Sequence, residues 1–171
     1  MTDNASDKGN HDEETDCVVC DAGTYASAPA TATCTDCVVG KALNDAATLA
    51  SKHDAEANCI ICAAGKHTIA TGTSVCTDCA KGKYLTDDRS DVTEHDVEAD
   101  CKICALGKYA DTLSSAVCKD CVKGKYLTDS ANHATAHQAE TDCSTCAAGT
   151  YADSVGTGTC TDCVKGKYFI G

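Results

Sequence analysis

Sixteen cysteines recur on one fixed interval, and that interval limits what this chain can become more than any other feature. They stand at 17, 20, 34 and 37, and the same four positions return three times, each displaced by 42 residues. Every copy reads Cys-x2-Cys-x13-Cys-x2-Cys, and a 21-residue spacer separates one copy from the next. A period of this length marks a tandem array in which each unit contacts mainly its neighbours. The repeats are 17–58, 59–100, 101–142 and a truncated 143–171, with residues 1–16 as the tail of a preceding repeat. That tail is identified by residues 2–17, which match 86–101 at more than half of their positions and put Met1 where Leu43, Leu85, Leu127 and Phe169 stand. The chain is therefore expected to be a slice of a longer array, with its secretory leader lost along with the missing N-terminus.

Little else in the composition can hold a fold together. Leu, Ile, Val and Phe supply only 23 of 171 residues, there is no Trp, and the formal charge is −12. Without its cysteines such a chain falls among disordered proteins, so covalent crosslinks must replace an apolar core. The expected fold is small and disulfide-rich, mostly irregular with short β-hairpins, drawn out into an elongated rod of tandem repeats. Short strands are expected around Gly-Lys-Tyr-Leu and Ser-Val-Cys, and the Ala-rich stretch 46–57 has room for one or two helical turns. No apolar run reaches the length of a membrane span. The acidic balance excludes a nucleic-acid partner, which needs a basic face.

A finer repeat lies inside the 42-residue unit. Gly follows each Cys-x2-Cys at the third position, giving Gly23, Gly40, Gly65, Gly82, Gly107, Gly124, Gly149 and Gly166. Two residues later stands Tyr25, Tyr84, Tyr109, Tyr126, Tyr151 or Tyr168, with Ala42 and His67 in the remaining copies. The Gly is expected to supply a positive φ that reverses the chain. The Tyr ring is expected to lie over the adjacent disulfide, the largest apolar surface on offer.

Two pairings use these cysteines well. If the first cysteine of each repeat bonds the third and the second bonds the fourth (Cys17 to Cys34, Cys20 to Cys37), all sixteen are satisfied. If instead the second cysteine of each Cys-x2-Cys bonds the first of the next, a ladder results: Cys20–Cys34, Cys37–Cys59, Cys62–Cys76, Cys79–Cys101, Cys104–Cys118, Cys121–Cys143 and Cys146–Cys160. The ladder makes every half-unit equivalent, as the recurring Gly and Tyr suggest, and leaves Cys17 and Cys163 to pair outside the slice; the first pairing stays open. The rival chemistry is zinc held by four cysteines, for which two Cys-x2-Cys knuckles 13 residues apart are a sound spacing. Four thiolates per ion would deepen the negative charge, and no strand–helix context activates a redox Cys-x2-Cys.

The run Cys17-Val-Val-Cys-Asp-Ala-Gly-Thr-Tyr followed by Cys34-Thr-Asp-Cys37, with copies such as Cys101-Lys-Ile-Cys-Ala-Leu-Gly-Lys-Tyr and Cys118-Lys-Asp-Cys121, resembles the cysteine-rich repeat of ephrin receptors. It is also similar to the cysteine-rich modules of tumour-necrosis-factor receptors and growth-factor receptors. The resemblance implies an elongated extracellular rod of disulfide-held hairpins. It implies too that the loop opening at Cys20 closes at Cys34.

A His recurs at the same period, as His11, His53, His95 and His137, within an acidic run before each repeat. The reading given to it is a solvated acidic spacer, with a metal site at these histidines as the sharper alternative. Basic residues gather at the Gly-Lys-Tyr turns and acids in the spacers, which suggests self-association of rods through opposite charges. Asn4-Ala5-Ser6 fits a glycan acceptor. No catalytic set and no cofactor motif is present. The reading is a non-enzymatic extracellular or cell-surface array serving as spacer, scaffold or filament component with a protein-binding surface. The alternatives are a ligand-binding receptor ectodomain fragment and an intracellular zinc protein.

Overall fold

The computed structural model describes residues 13–168 and 170. Met1, Asn4, His11 and Phe169 lie outside the described residues, as does most of the 1–16 tail. Among the described residues seven two-stranded antiparallel hairpins follow one another, each strand only two residues long. β1 (Thr24–Tyr25) pairs with β2 (Thr35–Asp36), and β3 (Lys41–Ala42) with β4 (Ile60–Ile61). One period on, β5 (Lys66–His67) pairs with β6 (Thr77–Asp78), and β7 (Lys83–Tyr84) with β8 (Lys102–Ile103). The series continues with β9 (Lys108–Tyr109) on β10 (Lys119–Asp120), β11 (Lys125–Tyr126) on β12 (Ser144–Thr145), and β13 (Thr150–Tyr151) on β14 (Thr161–Asp162).

The local cause is a β-turn in each half-unit. Thr24 N donates to Asp21 O, and the equivalent bond recurs at Lys41, Lys66, Lys83, Lys108, Lys125, Thr150 and Lys167 at 3.0–3.1 Å. The third residue of each turn is the recurrent Gly, with Gly23 at φ +86° and Gly82 at +80°. A turn with positive φ at that position is of type II and favours Gly there. The chain leaves the turn extended and pairs with the two residues enclosed by the next Cys-x2-Cys. Ser-Val-Cys was therefore the wrong place for the second strand: it begins just after the cysteine, at Thr77 rather than Ser74, because that is where the Gly-Lys-His strand has its partner.

Seven disulfides lock the hairpins, with sequence separations that alternate between 14 and 22 residues. They form the ladder: Cys20–Cys34 and Cys37–Cys59, Cys62–Cys76 and Cys79–Cys101, Cys104–Cys118 and Cys121–Cys143, and Cys146–Cys160. The pairing of Cys17 with Cys34 and Cys20 with Cys37 does not form, and Cys17 and Cys163 have no disulfide partner within the chain. Each Cys-x2-Cys between the first and the last thus carries one bridge back to the preceding loop and one forward to the next.

The half-units are not fully equivalent, because the longer spacer folds back and buries what it encloses. Small clusters form around the 22-residue bridges: Cys37, Leu43 and Cys59, then Cys79, Leu85 and Cys101, then Cys121, Leu127 and Cys143. Where helical turns were expected, Ala50–Lys52 and Glu56–Asn58 make single 3₁₀ turns. No α-helix occurs among the described residues. The accessible surface is 10757 Å², against roughly 7,900 Å² for a compact chain of this mass. That excess is what an elongated rod of tandem repeats requires.

Backbone bonds add to the disulfides in linking successive units. Gly23 N donates to Leu43 O, Cys62 N to Gly40 O, and Gly72 N to Cys37 O, each at 2.9 Å, and the set recurs one period later. The closest approach is at the turn glycines. A Cβ on Gly65 would overlap the Ser114 carbonyl, and one on Gly82 the Ala134 carbonyl, so these positions need Gly for space as well as for φ.

Candidate functional site

The recurrent His and an Asp eight residues before it form a clamp that appears three times among the described residues. In the first copy, the turn after Leu43 is organised by Asp45, whose carboxylate accepts from Thr48 N at 2.9 Å, Thr48 Oγ1 at 2.6 Å and Leu49 N at 3.2 Å. The same carboxylate lies 3.1 Å from His53 Nε2. The other ring nitrogen, Nδ1, donates to the Thr24 carbonyl at 2.7 Å. Ala26 N donates to His53 O, so ring and backbone together tie the spacer to strand β1, 29 residues earlier.

The second and third copies reproduce this. His95 donates from Nδ1 to Lys66 O at 2.7 Å and faces Asp87 Oδ2 through Nε2 at 3.0 Å. His137 meets Lys108 O at 2.6 Å and Asp129 Oδ1 at 3.1 Å. His95 and His137 are 0% exposed, and His53 is 3% exposed. The reading of these histidines as part of a solvated spacer is therefore corrected. Both ring nitrogens of each lie within hydrogen-bond distance of an oxygen, one of the backbone and one of the Asp.

The Asp carboxyls are held low by what surrounds them. The Thr48 hydroxyl is the largest cause for Asp45, followed by backbone N–H groups and His53, and together they bring it from 3.8 to about 2. The Ser90 hydroxyl leads for Asp87 and His133 for Asp129, and both stay well below the ordinary carboxylate range. A carboxyl whose folded value lies below its unfolded one contributes stability that is complete above about pH 4 and lost as pH falls. The thermal midpoint of the oxidised chain is therefore expected to fall steadily between pH 4 and pH 2. Asp87→Asn should flatten that dependence, and an unchanged slope in Asp87→Asn would count against the clamp.

The tyrosines occupy less uniform places than the motif suggests. Tyr25 packs on the cluster of Cys37, Leu43 and Cys59, and Tyr109 joins Cys121, Leu127 and Cys143. Each ring thus covers the next disulfide along rather than the one that closes its own loop. Tyr84 lines a shallow cavity with Cys118, and Tyr126 is half-buried. Tyr151 and Tyr168 are 43% and 82% exposed, which corrects the expectation that all six rings cover a disulfide. Tyr151 is the equivalent of Tyr109, and the bridge it would cover needs Cys163, which is unpaired. His67 takes the Tyr position in the second copy and is buried beside Cys79–Cys101.

Charges pair largely within the chain. Lys41 meets Glu56 at 3.2 Å, Lys83 meets Glu98 at 3.1 Å, and Lys125 meets Glu140 at 3.3 Å, each joining a turn to its own spacer. Such partly exposed pairs add little stability, but they use charges that the sequence had left available for contacts between rods.

The Asp of the clamp was missed in the sequence, although it left a signal there. It stands two residues after Leu43, Leu85 and Leu127, and eight before the His, in every complete copy. Set against known proteins, the chain matches no family model and no curated protein sequence.

Proposed function

We propose that the chain is part of an extracellular or cell-surface cysteine-rich array that acts as a spacer or scaffold and presents protein-binding surface, without enzymatic activity. The observation that carries this reading is the unbroken ladder of seven disulfides through units that bond mainly to their neighbours. Disulfides in this number persist in oxidising compartments, and no helix among the described residues is long and apolar enough to cross a membrane. Kinship with ephrin-receptor-like and tumour-necrosis-factor-receptor-like repeats belongs to the same proposal, on the strength of the Cys-x2-Cys-x2-Gly-x-Tyr half-unit. Partners are proteins, further copies of the array included.

A spacer has a length set by its repeat number. Deleting residues 59–100 removes one whole period and joins residue 58 to residue 101 in register. By small-angle scattering, the maximum dimension should drop by about a quarter while the fold persists, as expected for an additive array. A maximum dimension unchanged by the deletion, or a collapsed particle, would remove the basis for a spacer.

A further inference from the structure

One of the three deeply buried bridges differs from the other two in what touches it. Cys37–Cys59 is covered by Tyr25 and Cys121–Cys143 by Tyr109. At the equivalent place Cys79–Cys101 has His67, whose Nδ1 lies 3.4 Å from Cys101 Sγ. The imidazole is buried at 6% exposure. Unlike His53, His95 and His137, it belongs to no Asp clamp.

Two further features mark the surroundings of this bridge. A cavity of ≈ 250 Å³ runs to it, lined by Cys79, Cys101, His67, Lys83 and Glu98 among others. Glu98 is exposed, so the cavity reaches the surface and gives a small thiol a route to sulfurs that are otherwise 1% and 4% exposed. In addition, one ligand atom each from His67, Cys79 and Cys101 lies within 4.8 Å of the others. Ligands of a tetrahedral zinc ion stand about 3.8 Å apart, from zinc–sulfur distances near 2.3 Å.

We infer that Cys79–Cys101 is a redox-gated zinc site: a dithiol reductant opens this bridge ahead of its equivalents, and the freed thiols then close with His67 around one Zn²⁺. A reductant thiolate attacks Cys79 Sγ, the S–S bond breaks, and its electron pair leaves on Cys101 Sγ, which the imidazole N–H stabilises. The second thiol of the reductant attacks the mixed disulfide, forms its own cyclic disulfide and releases Cys79. Two electrons and two protons have then passed from the dithiol to the cysteine pair. Zinc binding displaces those two protons to solvent and leaves a Cys2His set whose fourth position holds water. In the oxidised chain both sulfurs are used by the bridge, so zinc is bound only after reduction.

The test uses the full chain and compares bridges within one molecule. Limited dithiothreitol treatment is quenched with an alkylating agent, and labelling at each cysteine is read by peptide mass mapping. Cys79 and Cys101 should label about tenfold faster than Cys37, Cys59, Cys121 and Cys143, reflecting the better leaving group. After reductant removal, Zn²⁺ alone should slow alkylation of Cys79 and Cys101 by at least about tenfold. His67→Tyr places there the residue found at 25 and 109, so the variant keeps the fold. Both effects should disappear in it. Equal labelling of the three bridges, no protection by zinc, or identical behaviour of His67→Tyr would each overturn the proposal.

Discussion

Complete reduction of the oxidised chain is expected to abolish its fold rather than loosen it. The three clusters are built around one Leu and two bonded cysteines each, with Tyr109 in one and Tyr25 against another, and nine of the 15 buried hydrophobic residues are bridged cysteines. Each bridge contributes about 3 kcal/mol by restricting the unfolded chain. The loops they close do not overlap in sequence, so every bridge restricts a separate segment. Once the bridges are lost, a chain with 23 large aliphatic or Phe residues in 171 has nothing of comparable size to oppose its ordering entropy. Amide resonances should collapse to the narrow dispersion of a disordered chain in excess reductant. Retained dispersion in the presence of a chelator would mean that the crosslinks are not what holds the units.

The second large effect is expected at a glycine. Gly82 and Gly124 sit at the same turn of successive repeats, both at φ +80°. A Cβ at Gly82 would strike the Ala134 backbone, whereas nothing lies within 4 Å of the place a Cβ would take at Gly124. The contacting segment lies 52 residues after Gly82, and the matching distance from Gly124 runs past residue 171. Ala at either position bears the cost of a left-handed conformation, about 1–2 kcal/mol. At Gly82 it must also push two units apart, which should add several kcal/mol, in the range of severe overpacking. Comparing the thermal midpoints of oxidised Gly82→Ala and Gly124→Ala isolates the packing between units from the conformation of the turn. Equal losses would show that the units do not pack as closely as described.

Several levels of this organisation were readable from the residues. Cysteine spacing carried the period, and the Gly three residues after each Cys-x2-Cys carried the turn, because both are local chemical demands. The ladder was favoured by the likeness of the half-units, and the hairpins followed from it. The clamp was not readable in the same way. His53 lies in an acidic run that looks solvated, and its decisive partner is the Thr24 carbonyl, a backbone atom that no side-chain pattern marks. The tyrosine contacts were misjudged for a related reason. Which disulfide a ring covers depends on how one loop folds over the next, and the motif around Tyr25 is the same as that around the exposed Tyr151. The His67 substitution in turn looked like drift within a motif, and its meaning depends on Cys101, 34 residues away.

The most direct test of the whole account is to digest the unreduced protein, with free thiols blocked, and identify every linked peptide pair by mass spectrometry. The account predicts linked pairs spanning 14 and 22 residues in strict alternation from Cys20 to Cys160, with Cys17 and Cys163 outside the ladder. Peptides joining Cys17 to Cys34 and Cys20 to Cys37, or blocked thiols at the ladder positions, would contradict it.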